Sequence, residues 1–130
     1  MRRYMNCPFC DVHNPCIILE NEIAFAIYDG FPVSPGHSLI IPRRHISSFF
    51  EATSEEQLSF LDLISKVQQL LKNEYSPDGF NIGINDGEAA GQTVMHLHIH
   101  LIPRYLGDVE DPRGGLRWII PEKAVYWGLS

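Results

Sequence analysis

Residues 96–102 read HLHIHLI, with a histidine at every second position and an aliphatic residue after each. A β-strand alternates its side chains between two faces. Extended backbone therefore puts His96, His98 and His100 on one side and Leu97, Ile99 and Leu101 on the other. A helix advances about 200° for every two residues and would scatter the imidazoles around its axis. The chain must then build a sheet with one apolar face, and it needs a chemical reason for the row of imidazoles opposite. Side chains at i, i+2 and i+4 on a strand span about 13 Å, too far for one metal ion to collect all three. Two readings remain. One histidine joins metal ligands from elsewhere, or the middle one, His98, attacks a phosphoryl group as nucleophile. In the second case its neighbours hold its tautomer, donate to phosphate oxygens or protonate a leaving group.

The rest of the chain supplies partners for such a strand. Cys16 to Leu19 and Ile23 to Tyr28 are strand-like runs split by the turn Glu20-Asn21-Glu22, and Asp29 to Gly36, with two prolines and two glycines, is a loop. His37 to Pro42 is a third strand, beginning at His37, and Arg43 to Phe50 a short helical turn. Ser54 is the expected N-cap of a helix, with Gln57 completing a capping box. Leu58, Leu61, Ile64, Val67 or Gln68, and Leu71 then recur at helical spacing to about Tyr75, where Pro77-Asp78-Gly79 stops the pattern. Phe80 to Ile84 is a fourth strand, Asn85 to Gly91 a Gly-rich loop, and Val94 to Ile102 the fifth strand. Short turns between strands and one long helix indicate an α+β fold: an antiparallel five-stranded sheet whose aliphatic faces share one core with the helix. Cys16, on an apolar strand, is expected in that core. The 130 residues are read as a single domain, long enough to fold without disulfide staples.

The formal charge of −6 argues against duplex DNA or an anionic membrane as the main partner, because both select basic surfaces. A small phosphorylated ligand stays compatible. No apolar run approaches the roughly 20 residues that span a bilayer. The opening MRRYMNCPFC has no apolar core of a secretory signal, and three cysteines are not a secreted disulfide framework. A cytoplasmic location is the expectation.

The loop before the histidines supports phosphorus chemistry. Asn85 to Thr93 reads NDGEAAGQT and runs straight into the triad. Gly87 and Gly91 let backbone N–H groups approach an anion, and Asn85, Gln92 and Thr93 add neutral polar groups at the mouth. With these residues in view, the chain resembles the histidine triad (HIT) superfamily of nucleotide hydrolases and transferases. The resemblance runs from about Cys7 to Asp108. It is carried by IYDGFPVSPGHSLIIPRRHI at 27–46 and NDGEAAGQTVMHLHIHLIPRYLGD at 85–108. It is closest to the fragile-histidine-triad branch, whose members cleave dinucleoside polyphosphates asymmetrically. The resemblance implies that His98 attacks the α-phosphorus, that His96 and His100 orient it or bind phosphate, and that Gln92 contacts the scissile region. It also implies that Asn85, Gly91 and Thr93 bind phosphate, that Asp29 holds ribose hydroxyls, and that the chain is a homodimer to which the long helix contributes. Locally, Asp29 reads equally well as a turn residue before Gly30.

Cys7-Pro8-Phe9-Cys10 is a second motif, independent of the triad. Two thiolates on a tight turn have zinc-knuckle spacing but cannot complete a tetrahedral site. A subset of the superfamily joins such a pair to two histidines, which here implies His45 and His96 as the remaining ligands of a structural Zn²⁺. His13, at CxxCxxH spacing, is a rival ligand. Reduced thiols or a redox pair are the alternatives, the second without its usual βαβ setting.

Beyond Pro103 the reading stays open. Arg113 either grips the distal phosphates of a long substrate or pairs, like Arg104, with Asp108, Glu110 or Asp111. Trp118 and Trp127 have the surface to stack on a base but are read as packing residues. The expected activity is a nucleotide hydrolase or transferase acting through a covalent nucleotidyl-histidine, with Mg²⁺ at most accompanying the substrate. A nucleoside phosphoramidate or acyl-nucleotide hydrolase is the runner-up. The alternative of another class is a zinc-stabilised nucleotide-binding module without turnover.

Overall fold

The alternation that opens the sequence decides how the sheet is dressed. The computed structural model describes residues 7–12 and 16–128. Five strands, β1 (Ile17–Glu20), β2 (Ala24–Tyr28), β3 (Ser38–Pro42), β4 (Gly79–Gly83) and β5 (Ile99–Arg104), form one sheet. Its order is β1-β2-β3-β5-β4, antiparallel throughout. Cys16 is exposed and lies just outside β1, so it is not the core residue its apolar neighbours suggested. Asn21 closes the β1–β2 turn because its Oδ1 accepts the N–H groups of Ile23 and Ala24, at 2.9 and 2.8 Å.

Helix α1 (Ser54–Tyr75) crosses one face of the sheet. Its N-cap is Thr53 rather than Ser54. The Thr53 hydroxyl accepts the Glu56 N–H at 3.1 Å and the Glu56 carboxylate accepts the Thr53 N–H at 2.9 Å. The capping box is thus shifted by one residue from expectation. Arg44 adds a two-pronged contact to Glu56, with its Nε donating at 3.1 Å and NH2 at 2.7 Å. The helix ends at Ser76, in the left-handed region at φ +51°, immediately before Pro77. Proline disfavours helical backbone in the residue before it, which accounts for the stop. Only Phe49 and Phe50 of the expected 43–50 helical turn are helical, in a single 3-10 turn that runs from Phe49 to Glu51.

Phe60, Leu63, Val67 and Leu71 of α1 pack with Ala24, Ala26, Ile40, Leu97, Ile99 and Leu101. The aliphatic half of HLHIHLI is therefore the floor of the helix-side core. The opposite face is not bare. Phe25, Leu39 and Ile41 form a second buried cluster there, with Phe9, Val12, Ile17 and Ile27 against it. Two apolar layers replace the one that was expected.

The ladder of β5 starts at Ile99, five residues later than the sequence suggested, and ends two residues later at Arg104. β3 pairs with it only from Ile40↔Ile99 to Ser38↔Leu101. Pro42 has no N–H to extend that pairing. Leu97 instead donates to the Ile46 carbonyl at 2.7 Å, and His96 and His98 stand ahead of the regular strand. After β5 the chain makes a 3-10 turn at Gly115–Ile119 and a short helix α2 (Pro121–Ala124). Among the described residues, no helix is long and apolar enough to cross a membrane.

Candidate active site

His98 is held by the backbone of its own row. Its Nδ1 lies 2.9 Å from the His96 carbonyl oxygen. A carbonyl can only accept, so in the neutral ring the proton is on Nδ1 and the lone pair is on Nε2. The ring is walled by Phe9, with centroids 5.1 Å apart, and by His100, at 5.3 Å. This is the tautomer an imidazole nucleophile needs.

The His100 end of the row continues into residues from the 29–37 loop. His37 Nδ1 accepts the Val33 N–H at 3.1 Å, so the proton of the neutral ring is on Nε2. That Nε2 lies 2.9 Å from His100 Nδ1 and 3.4 Å from an oxygen of Asp29. His37 therefore donates to His100 Nδ1, which leaves the His100 proton on Nε2. Burial depresses the pKa of His37, against the opposing pull of Asp29. Burial also depresses that of His100, helped by His98 and His37. Both rings are kept neutral, with Asp29 and His100 Nδ1 facing the same His37 Nε2–H. Asp29 also accepts the Phe31 N–H at 2.8 Å, so it serves the turn reading and faces the site as well. His37 was read only as the start of a strand. Its signal was its place two residues before Leu39, which pairs with His100. That signal exists only once the strand pairing is known.

At the other end, His96 is fully buried, and its Nε2 donates to the Pro42 carbonyl at 2.8 Å. Its Nδ1 lone pair points at Cys7 Sγ (3.4 Å), Cys10 Sγ (3.6 Å) and His45 Nδ1 (3.1 Å). Cys10 Sγ is 3.0 Å from His45 Nδ1. A tetrahedral ion with zinc's bond lengths sets its ligands about 3.3–3.8 Å apart. The two contacts to His96 from the cysteines fall in this range, the two involving His45 Nδ1 are a few tenths of an ångström shorter, and all four atoms lie within 4.8 Å of one another, a donor set that suits such an ion. Burial, with Cys10 alongside, raises the pKa of the Cys7 thiol, and a bound cation would offset this by favouring the thiolate. The rival ligand His13 lies outside the described residues.

Asp29, His37 and His100 also bring donor atoms within 4.8 Å of one another, as the Cys/His group does. The tautomers separate the two. An ion on His37 Nε2 would force its proton onto Nδ1, against the Val33 N–H. The His100 end fixes one proton between Asp29 and His100, and the His96 end turns its lone pair toward two thiols and a second imidazole.

The Gly-rich loop is stapled from inside. Gln92 is buried; its Oε1 accepts the Gly87 N–H at 2.8 Å, while its Nε2 donates to the carbonyls of Ser47 (2.8 Å) and Val94 (3.1 Å). Asp86 accepts from Ser48 Oγ and the Phe49 N–H, at 3.0 and 2.9 Å. Gly87 and Gly91, at φ +97° and +95°, take backbone that a side chain would strain. Asn85, Gly91 and Thr93 are exposed on this loop. Farther along, Arg113 pairs with Asp111 and lies over the Trp127 ring at 4.4 Å, and Arg104 pairs with Asp108. The pairing alternative therefore describes both arginines.

A row of three histidines, with a Cys/His cluster at one end and Asp29 and His37 at the other, stands on a five-stranded antiparallel sheet. The HIT domain model matches residues 12–107, and the chain belongs to the HIT family. An uncharacterised HIT-like protein of Mycoplasma genitalium is 41% identical over 105 residues, covering 77% of this chain and 74% of that one. The asymmetrical bis(5'-nucleosyl)-tetraphosphatase of Schizosaccharomyces pombe is 36% identical over 95 residues, 73% of this chain but 52% of that protein. A HIT family protein of Bacillus anthracis superposes with a TM-score of 0.72 at 39% identity, over 78% of this chain and 74% of that one. A Zn-bound histidine triad family protein of Mycobacterium smegmatis gives 0.68 at 34% identity, over 74% and 70%.

Proposed function

We propose that the protein is a nucleotide hydrolase or transferase that cleaves a dinucleoside polyphosphate, or a related nucleotide conjugate, at its α-phosphorus through His98. The observation that carries this is the His98 Nδ1–H bond to the His96 carbonyl, which selects the neutral tautomer with its lone pair on Nε2. Nε2 attacks phosphorus, a P–N bond forms, and the P–O bond to the leaving group breaks with its electron pair going to that oxygen. Water then attacks phosphorus, the P–N bond breaks with its pair returning to Nε2, and the proton the water loses passes to solvent. His100 Nε2–H donates to a phosphoryl oxygen or the departing oxygen, with its proton position set by His37 and Asp29. Asn85, Gly91 and Thr93 receive the phosphates, and Gln92 supports them by keeping the loop in shape. Its contact with the scissile region requires it to exchange one of its present partners. With Arg104 and Arg113 already paired, a short phosphate bridge suits the site better than a long one.

Cys7, Cys10, His45 and His96 would hold a structural Zn²⁺. The ion would supply a crosslink between the N-terminal segment and the triad, and no step passes through it. Mg²⁺ would travel with the substrate's phosphates. The chain would act as one domain over residues 1–130, in the cytoplasm and as a homodimer. Leu58 and Leu61, exposed on α1, are in keeping with a subunit contact there. The test is turnover of diadenosine tri- and tetraphosphate. Wild-type protein should release a mononucleotide, and His98→Ala should lose at least about 1,000-fold in kcat. Equal turnover by the variant would remove His98 as nucleophile.

A further inference from the structure

Strand alternation carries the triad face past His100 to Ile102 and Arg104, and the β4 register sets Gly83 opposite His100 and Asn81 opposite Ile102. Over this stretch lies a cavity of about 490 Å³. Asn81, Ile102 and Arg104 make its floor, Val33 and Ser34 its wall on the 29–37 loop, and Trp118 its outer wall. That volume suits a small organic ligand. The outer wall lies beyond residue 107, outside the stretch that the HIT domain model matches. Ile102 is four residues from His98, about 13 Å along the strand. A group joined to the α-phosphorus by a short phosphate bridge would reach it.

The chemistry of the lining selects what enters. The Arg104 guanidinium is committed: its Nε and NH2 hold the two oxygens of Asp108 at 2.7 and 2.8 Å, and its NH1 holds Asn81 Oδ1 at 2.6 Å. A phosphate finds no spare cation there. Asn81 Oδ1 accepts from Arg104, which turns the amide and sets its N–H₂ as the donor Asn81 offers a ligand. Trp118 is 45% exposed, yet its Nε1 donates to the Arg113 carbonyl at 2.9 Å, which fixes the indole in place. Val33 and Ile102 add apolar surface. A fixed indole, aliphatic walls and one amide donor suit a flat, uncharged, hydrogen-bonding ring.

We infer that this cavity seats the base of the leaving nucleotide and is the specificity site for dinucleoside over mononucleoside substrates. This rests on the nucleotide reading of the triad. Trp118 stacks on the base, a contact worth about tenfold in affinity or more, and Asn81 donates to a ring acceptor. The test is calorimetric binding of diadenosine triphosphate and of ATP to His98→Ala, which binds without turning over. The dinucleotide should bind about tenfold more tightly than ATP. Adding Trp118→Ala should bring the ratio close to one, and Trp118→Phe should retain most of it. Val33→Glu, on the opposite wall and independent of how the tail folds, should lower the ratio as well. If ATP and the dinucleotide bind equally before Trp118 is changed, or the ratio survives both Trp118→Ala and Val33→Glu, the base site is overturned while the nucleotide reading stands. If neither ligand binds, both fall.

Discussion

The two ends of the histidine row look alike by distance and differ by proton. At the His96 end, one ring nitrogen donates to the Pro42 carbonyl and the other turns a lone pair toward two thiols and His45. At the His100 end, a backbone N–H on His37 forces the opposite arrangement, and the lone pair on His100 is met by a proton. Proximity of donor atoms does not tell an ion site from a proton chain. The backbone groups behind each imidazole do, because they fix the tautomer.

The largest effect should come from the His96 end. Structural zinc sites contribute many kcal/mol to folding. Stripping the metal with a chelator, or Cys10→Ala, should lower Tm by more than about 10 °C. A zinc-loaded sample analysed for metal should hold one equivalent that Cys10→Ala loses. Unchanged melting after complete metal removal would reduce that end to ordinary packing. His37→Ala should produce the contrary pattern. Metal content stays at one equivalent, while kcat drops about 10- to 100-fold with KM little changed, since the proton behind His100 loses its anchor. Metal loss in that variant would merge the two ends and break the comparison.

The smallest effect is on pH dependence. His37 and His100 have pKa values below the ordinary imidazole value in the folded chain. Below about pH 6.5 the unfolded chain therefore binds protons that the folded chain refuses. Their contribution is complete above that pH and is lost as pH falls toward the depressed folded values. Urea melts should show stability level from pH 8 to 7 and declining from 6.5 to 5. His37→Asn should decline less steeply, and an equal slope would remove His37 from the account.

Much of the fold could be read from periodicity. The aliphatic set Leu97, Ile99 and Leu101, and the helix ending at Tyr75, stand where alternation and a proline stop put them. What escaped depends on partners distant in sequence. His37 matters because β3 lies beside β5. Cys16 is exposed because β1 begins one residue after it. Gln92 looked like a ligand for substrate because its sequence does not tell that Gly87, Ser47 and Val94 already occupy its amide. His45 joined the cysteines only through the family pattern, since no local spacing links residues 10 and 45. The N-cap differs for another reason: Thr53 with Glu56 and Ser54 with Gln57 are overlapping capping-box signatures one residue apart, and the structure uses the first.

The central claim is that the protein places an unprotonated His98 Nε2 against phosphorus. Intact-protein and peptide mass spectrometry after rapid acid-free quenching with diadenosine triphosphate tests it most directly. A single nucleotidyl adduct mapping to His98, and missing in His98→Ala, is the predicted result. Turnover with no adduct at any quench time, or an adduct on His96 or His100 instead, would contradict it.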